Sequence, residues 1–292
     1  MVATGDGAAG ADAAPRHWYA TTLVGLPAGL IDSVDFNTHP LPLSIHGTRE
    51  SAPALFHALE ATTSPEEAGA RFRRAMGQIF GLLGQAGDQD GASAERASRR
   101  SSYLKLLEGW GFDSNGPQAA VLRGWVESRF GLVPTFHRAP LARFPSRAWV
   151  AYLQEKATSR FHNNCINLQL DLLFEFCQWS ARRFGVPGRA ASSRDGRLRV
   201  WRGVDSRIGH RLVEGSLRDR HCVVHLNNLV SFSLTPEGAE MFGDWVLATE
   251  VPIEKLVFFP GLLGGSMLAG EDEVIALGGQ YRAGVSYLNA AG

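Results

Sequence analysis

The sequence predicts an α+β protein, with a mostly helical N-terminal part followed by a β-rich C-terminal part. Up to about Phe184, apolar residues recur at three- and four-residue spacing, the period of a helix with one buried face. After Leu198, short runs rich in Val, Leu, Phe and Tyr alternate with Gly, Pro, Asn and Asp, as strands and turns do. The seam between the two parts, residues 185–196, is rich in Gly, Pro and Ser. With 292 residues, 45% hydrophobic and 20% charged, the chain can bury a full core without disulfides or metals. The expected organisation is a disordered tail at 1–14, a helical part at 15–184, a linker at 185–197 and a β-rich core at 198–292, together one continuous domain.

The first clear helix starts at Ser64. Ser64 suits the N-cap, Pro65 the first turn, and Glu67 completes a capping box. Phe72, Met76, Ile79 and Leu83 then line one face. Residues 87–91, Gly-Asp-Gln-Asp-Gly, read as a loop. A second helix is expected over 96–108 and a third over 160–184, with Ile166, Leu170, Leu173 and Cys177 on one face and Gly185 and Pro187 stopping it. Two prolines and two histidines within 35–47 exclude a regular helix and predict an ordered loop packed on the core. Strands are expected at 198–204, 222–226, 229–233, 245–251, 256–259, 273–277 and 281–288.

Several function classes drop out. Lys+Arg and Asp+Glu tie at 29 each, so no net charge points to nucleic acid or a membrane surface. No apolar run reaches the roughly 20 residues of a spanning helix, and residues 1–14 lack the basic start and apolar core of a signal peptide. Cys165, Cys177 and Cys222 form no CxxC pair and read as reduced thiols of a cytoplasmic protein. The GxGxxG match from Gly5 to Gly10 follows no strand and lies in the tail. There is no P-loop, HExxH or GxSxG motif. His221 and His225 stand four apart on a predicted strand, where that spacing does not converge on one ion, so no metal is expected.

Charge is less even locally. From 182 to 220, eleven arginines stand against four acids; from 237 to 273, eight acids stand against Lys255 alone. Most of these are solvated faces. The sharper interpretation is a phosphate-binding edge beside an acidic pocket that receives a cation.

Three short elements stand in a fixed order in the β-rich part. They are Val200-Trp-Arg-Gly203 on a strand, Leu229-Val-Ser-Phe-Ser233 on another, and Gly270-Glu-Asp-Glu-Val-Ile275, where a glycine-rich loop enters a strand. Each alone is common. Glu271 and Glu273 leave the same face of a strand start, and adjacent carboxylates repel unless something uses them. An arginine can hold a phosphate, a serine can orient a carboxylate, and a glutamate can stabilise positive charge developing on a sugar carbon. Together they suit cleavage of an N-glycosidic bond through an oxocarbenium-like state.

This order resembles the Arg–Ser–Glu signature of the mono-ADP-ribosyltransferases. Residues 231–242, a serine strand leading into a loop, are similar to that family too, although Phe232 stands where many members have Thr. Three further stretches resemble its nitrogenase-regulating branch, the dinitrogenase reductase ADP-ribosyltransferases of nitrogen-fixing bacteria. They are Arg16-His-Trp-Tyr-Ala-Thr-Thr-Leu-Val-Gly-Leu-Pro27, Asp35-Phe-Asn-Thr-His-Pro40 and Arg160-Phe-His-Asn-Asn-Cys-Ile-Asn167.

The resemblance implies an ADP-ribosyltransferase-like core of two packed sheets, NAD⁺ consumed as substrate, and a transfer step that needs no metal. It implies dinitrogenase reductase as protein acceptor and a PII-type signalling protein as regulator. Arg202 would anchor the NAD phosphates or the adjacent ribose. The Gly203 backbone would bond the nicotinamide carboxamide, its missing side chain permitting close approach. Ser231 would hold Glu273, Ser233 would share that face, and Phe242 would either stack on nicotinamide or pack in the core. Glu273 would bond the nicotinamide ribose and stabilise the oxocarbenium ion. Glu271 would receive the acceptor arginine and help deprotonate the attacking nitrogen. Residues 256–270 would supply the acceptor-recognition loop. The same residues leave three other readings open: an NAD glycohydrolase with water as acceptor, an ADP-ribosyltransferase acting on another protein target, and a binding module with an inactive site.

Overall fold

A computed structural model describes residues 22–82, 102–186, 196–205, 211–264 and 272–287. The expected tail, the loop at 87–91, the start of the 96–108 helix and most of the 185–197 linker lie outside the described residues. Ten α-helices are described. Five lie in the first stretch: α1 (Ala28–Ile31), α2 (Val34–Thr38), α3 (Thr48–Ser51), α4 (Pro53–Glu60) and α5 (Pro65–Ile79). Four more follow, α6 (Tyr103–Phe112), α7 (Pro117–Phe130), α8 (Arg147–Thr158) and α9 (Asn164–Phe184), and α10 (Pro236–Glu240) interrupts the strands. A small ribbon pairs β1 (Phe136–His137) with β2 (Ala139–Pro140). The main sheet holds β3 (Arg197–Val204), β4 (Arg211–Glu214), β5 (His221–Ser233), β6 (Trp245–Pro252), β7 (Leu256–Phe258) and β8 (Glu273–Tyr287), all antiparallel. The α+β class is thus as expected.

The strands expected at 222–226 and 229–233 are one strand, β5, and those at 273–277 and 281–288 are one strand, β8. Leu226 pairs with Gly279 and Leu229 with Leu277, so Asn227 and Asn228 together oppose Gly278 alone. This is a bulge, with two residues against one. A Cβ on Gly278 would lie 1.5 Å from the Asn227 carbonyl oxygen, so only glycine fits opposite it. Asn-Asn and Gly-Gly look like turn signals in sequence, yet here they bend two continuous strands. The pairing order is β4-β5-β3-β6-β8-β7 with a further β5–β8 ladder, so β3, β6, β8 and β5 close a circuit. The two packed sheets implied by the resemblance are therefore two halves of one hydrogen-bonded sheet, joined because β5 and β8 run through both. β4 lies outside the expected strands because it carries no apolar alternation.

The central helix α9 explains how the helical part seats on the sheet. Asn163 caps it by accepting the Ile166 N–H at 3.0 Å, which places its first residue, Asn164, four residues later than the start of the expected 160–184 span. Ile166, Leu170, Leu173 and Cys177 are all buried, as predicted. The helix also buries Gln169, Asp171, Glu175 and Gln178, and each of these four bonds to another part of the fold. Gln169 accepts the Tyr103 N–H at the start of α6 (3.0 Å). Asp171 accepts Trp125 Nε1 and the Arg129 guanidinium of α7 (2.7, 2.8 and 3.0 Å). Glu175 accepts the Ile45 N–H (2.6 Å), the Ser44 hydroxyl (2.9 Å) and Arg49 Nε (2.6 Å). Gln178 donates to the carbonyls of Ile253 and Leu256 where β7 begins (3.0 and 2.7 Å). Buried polar groups are costly unless paired, so these four fix one docking register.

Ser64 caps α5 as predicted, accepting the Glu67 N–H at 3.2 Å, while the Glu67 carboxylate reaches back to the Thr63 N–H (3.0 Å). Phe72 stacks on Phe176 of α9 with ring centroids 4.2 Å apart. Ile79 is half-exposed, and Leu83 lies outside the described residues. The segment 35–47 begins with part of the single-turn helix α2, a departure from the all-loop expectation, because the prolines act only after Thr38. Leu43 and Ile45 then pack in the core. α6 runs past Glu108 to Phe112, since Gly109 serves close packing instead of breaking the helix; a Cβ there would lie 2.5 Å from Gln118 Cγ of α7. One hydrophobic cluster contains Phe72, Trp125 and Phe174 from helices and Val200, Leu247 and Ile275 from strands. Among the described residues no helix is long and apolar enough to cross a membrane.

Candidate active site

The three short motifs lie on strands that are neighbours in the sheet. β3 carries Arg202 and Gly203, β5 carries Ser231 and Ser233, and Glu273 is the first residue of β8. Trp201 pairs with Ser233, and Ser233 pairs with Glu273, so the strand ends meet at one edge. Arg202 Nη1 donates to the Ser231 carbonyl at 2.6 Å. The Ser231 hydroxyl donates to Glu273 Oε1. Arg202, Ser231 and Glu273 are thus one hydrogen-bonded set. Burial lowers the Arg202 pKa from its ordinary value, and the Glu273 carboxylate opposes that shift.

These groups open onto a cleft of about 530 Å³, lined by Arg202, Gly203, Ser231, Ser233, Phe242 and Glu273 among others. Every predicted site residue that is described therefore lines one cleft; Glu271 lies outside the described residues. Their tasks differ. The Ser233 hydroxyl accepts the Thr235 N–H at 3.1 Å and so fixes the turn into α10. At Gly203 the room for a side chain is filled by protein: a Cβ would lie 2.1 Å from the Ala239 carbonyl oxygen and 3.0 Å from the Phe242 carbonyl carbon. The missing side chain expected to admit nicotinamide instead admits the end of α10 and the turn after it. Phe242, on that turn, is 56% exposed, which rules out core packing as its role. Of the described arginines in the Arg-rich stretch, only Arg202 reaches the cleft. Arg197 binds the carbonyls of Asn37 and Thr38, and Arg182 and Arg183 pair with Glu254 and Glu60. Lys255, the lone base of the acidic stretch, is buried, and burial pushes it down to about 7.

The rest of the cleft lining includes helical residues, Trp110 and Arg123, that carry no motif in the sequence. Trp110 of α6 donates from Nε1 to Ser231 Oγ (2.8 Å) and Glu273 Oε1 (3.1 Å). Arg123 of α7 lies 5.2 Å from the centre of the Trp110 ring, a cation–π distance. Its Nη1 approaches His137 Nδ1 at 3.1 Å, and His137 Nε2 approaches Glu155 Oε2 at 2.8 Å. Burial lowers the His137 pKa, which favours the neutral ring accepting at Nδ1 and donating at Nε2. Burial also brings Arg123 down to about 10, with the Arg202 charge adding to the effect. A buried indole N–H needs an acceptor, so Trp110 carried a signal that a partner existed but none for which one. Among the described residues no cluster of His, Cys, Asp or Glu could hold a metal ion. The cleft therefore offers cationic side chains for an anion and a fixed carboxylate for a developing positive charge.

The family model for dinitrogenase reductase ADP-ribosyltransferase matches residues 21–285. The chain belongs to that family. The NAD(+)--dinitrogen-reductase ADP-D-ribosyltransferase of Rhodospirillum rubrum is 46% identical over 275 residues, covering 94% of this chain and 97% of that protein. No solved structure matches the chain. The resemblance drawn from the sequence is borne out: this is a transferase of the ADP-ribosyltransferase class, with NAD⁺ as its substrate.

Proposed function

We propose that the protein transfers ADP-ribose from NAD⁺ to an arginine of dinitrogenase reductase, through the cleft built by Arg202, Ser231 and Glu273. The observation that carries this is the hydrogen-bonded set itself, with Arg202 on Ser231 and Ser231 on Glu273, in a member of this family. The name of the Rhodospirillum rubrum relative supplies the acceptor protein. In this account Arg202 holds the NAD diphosphate or adjacent ribose. Gly203 and Phe242 border the nicotinamide. Glu273 faces the nicotinamide ribose. The bond between ribose C1′ and the nicotinamide nitrogen breaks, its electron pair neutralises the pyridinium, and nicotinamide leaves. Positive charge gathers at C1′ and its ring oxygen, where the Glu273 carboxylate stabilises it. An arginine nitrogen then attacks C1′ and gives up a proton. An arginine pKa above about 12 makes that proton hard to lose beforehand, so its removal accompanies attack. Glu271, two positions before Glu273, would bind the guanidinium and take the proton.

A PII-type signalling protein is the regulator this family resemblance supports. We place the reaction in the cytoplasm, since Cys165, Cys177 and Cys222 are all free thiols. The helical and β-rich parts would act as one domain, because one apolar core contains residues of both.

The Glu271→Gln variant separates transfer from cleavage. Nicotinamide release should stay within a few-fold of wild type, while modification of dinitrogenase reductase should fall by about 10²-fold or more. A parallel loss of both activities would sink the acceptor role of Glu271. Nicotinamide release by wild type with no protein modified would favour the glycohydrolase.

A further inference from the structure

We infer that Trp110 is a positioning residue of this reaction, whose indole N–H fixes the orientation of the Glu273 carboxylate. The inference rests on the ADP-ribosyl transfer proposed above, in which Glu273 meets the ribose. Two donors converge on one oxygen: Trp110 Nε1 stands 3.1 Å from Glu273 Oε1, and the Ser231 hydroxyl donates to the same atom. The indole N–H also lies 2.8 Å from Ser231 Oγ, so it steers the serine as well. A carboxylate held at one oxygen from two directions cannot turn about its terminal bond without breaking both contacts. Its plane is therefore set before substrate arrives, and no reorganisation is needed as charge develops.

The indole is itself held firmly. The ring is 2% exposed, and the Arg123 guanidinium lies against it at 5.2 Å. The helix that carries it is tied at its start to α9 by the Tyr103 N–H on Gln169. Indole has one donor and no acceptor, so its only polar task is the one it performs on Ser231 and Glu273. Sequence signatures of the strands contain nothing of this contact, because Trp110 lies 121 residues from Ser231 and 163 from Glu273.

The test is Trp110→Phe, which keeps an aromatic ring against Arg123 and removes the N–H. We expect kcat for nicotinamide release to fall about 10- to 100-fold, the worth of one hydrogen bond to a charged group acting in the transition state. KM for NAD⁺ should change less than about threefold, because the contact does not bind substrate directly. In the pair with Ser231→Ala the two losses should not multiply, since both donors act on one oxygen. A spectroscopic signature needs no turnover: the Trp110 indole ¹H resonance should move upfield in Glu273→Gln, where a charged acceptor becomes neutral. Full kcat in a folded Trp110→Phe protein, or an indole resonance unmoved in Glu273→Gln, overturns the inference. So does a loss confined to KM and melting temperature, which would mark a merely structural ring. If wild type itself releases no nicotinamide, the proposed function falls and this inference falls with it. A wild type that is active beside an equally active Trp110→Phe removes this inference alone.

Discussion

The strand wall of the cleft and its helical wall differ in how their side chains arrive. Arg202, Ser231 and Glu273 come from β3, β5 and β8, and β5 pairs with both of the others, so the strand order brings the three motifs to one edge. Trp110 and Arg123 come from α6 and α7, and they meet only because those helices pack closely, with Gly109 against Gln118. The bulge then joins the two walls: Asn228 donates to the Arg123 and Leu132 carbonyls at 2.9 Å each, and Asn227 donates to the Phe136 carbonyl at 2.7 Å. The strand wall is thus a local pattern repeated on neighbouring strands. The helical wall is a product of tertiary packing, and its residues carry no signature of their own.

If this division is right, the strand wall carries charge chemistry and the helical side carries position and stability. The largest effect should come from Glu273→Gln. It keeps size and hydrogen-bonding capacity but removes the charge that faces the ribose, so nicotinamide release should fall about 10³-fold or more. Retention of even a tenth of the wild-type rate in a steady-state assay would break the division at its strongest point. Trp110→Phe should fall between the walls, with the smaller kcat loss given above. The smallest catalytic effect belongs to Glu175→Gln, deep in the helical part. Glu175 is fully buried and receives three donors, one of them the Arg49 guanidinium. Its replacement should lower unfolding free energy by about 2 kcal/mol in urea titration while leaving kcat near wild type. A large kcat loss there, with stability kept, would show that the helical part does more than seat the cleft.

The same contrast explains what the sequence revealed. The α+β class and the strand positions followed from a helical period before Phe184 and from short Val-, Leu-, Phe- and Tyr-rich runs between turn residues after Leu198. The Ser64 cap and the buried face of α9 followed from residue type and spacing. α7 escaped notice because apolar residues surround most of it: Ala119, Val121, Leu122, Trp125 and Val126 are all buried, so it has no polar face to set a period. The bulge was misjudged as two turns because Asn-Asn and Gly-Gly serve both purposes, and only the opposing strand decides which. At the site, Arg202, Ser231 and Glu273 were legible as an ordered trio. The reason for Gly203 was not, since the atoms it makes room for belong to the end of α10 and the turn after it. Trp110 and Arg123 could not be found without knowing which helices face the sheet.

The most direct test of the central claim is intact mass spectrometry of dinitrogenase reductase after incubation with this protein, NAD⁺ and ADP. The account predicts a gain of one ADP-ribose per modified subunit, on an arginine, and no gain when Glu273→Gln replaces the wild-type protein. An unmodified target alongside undiminished nicotinamide release, or a modified residue other than arginine, would contradict it.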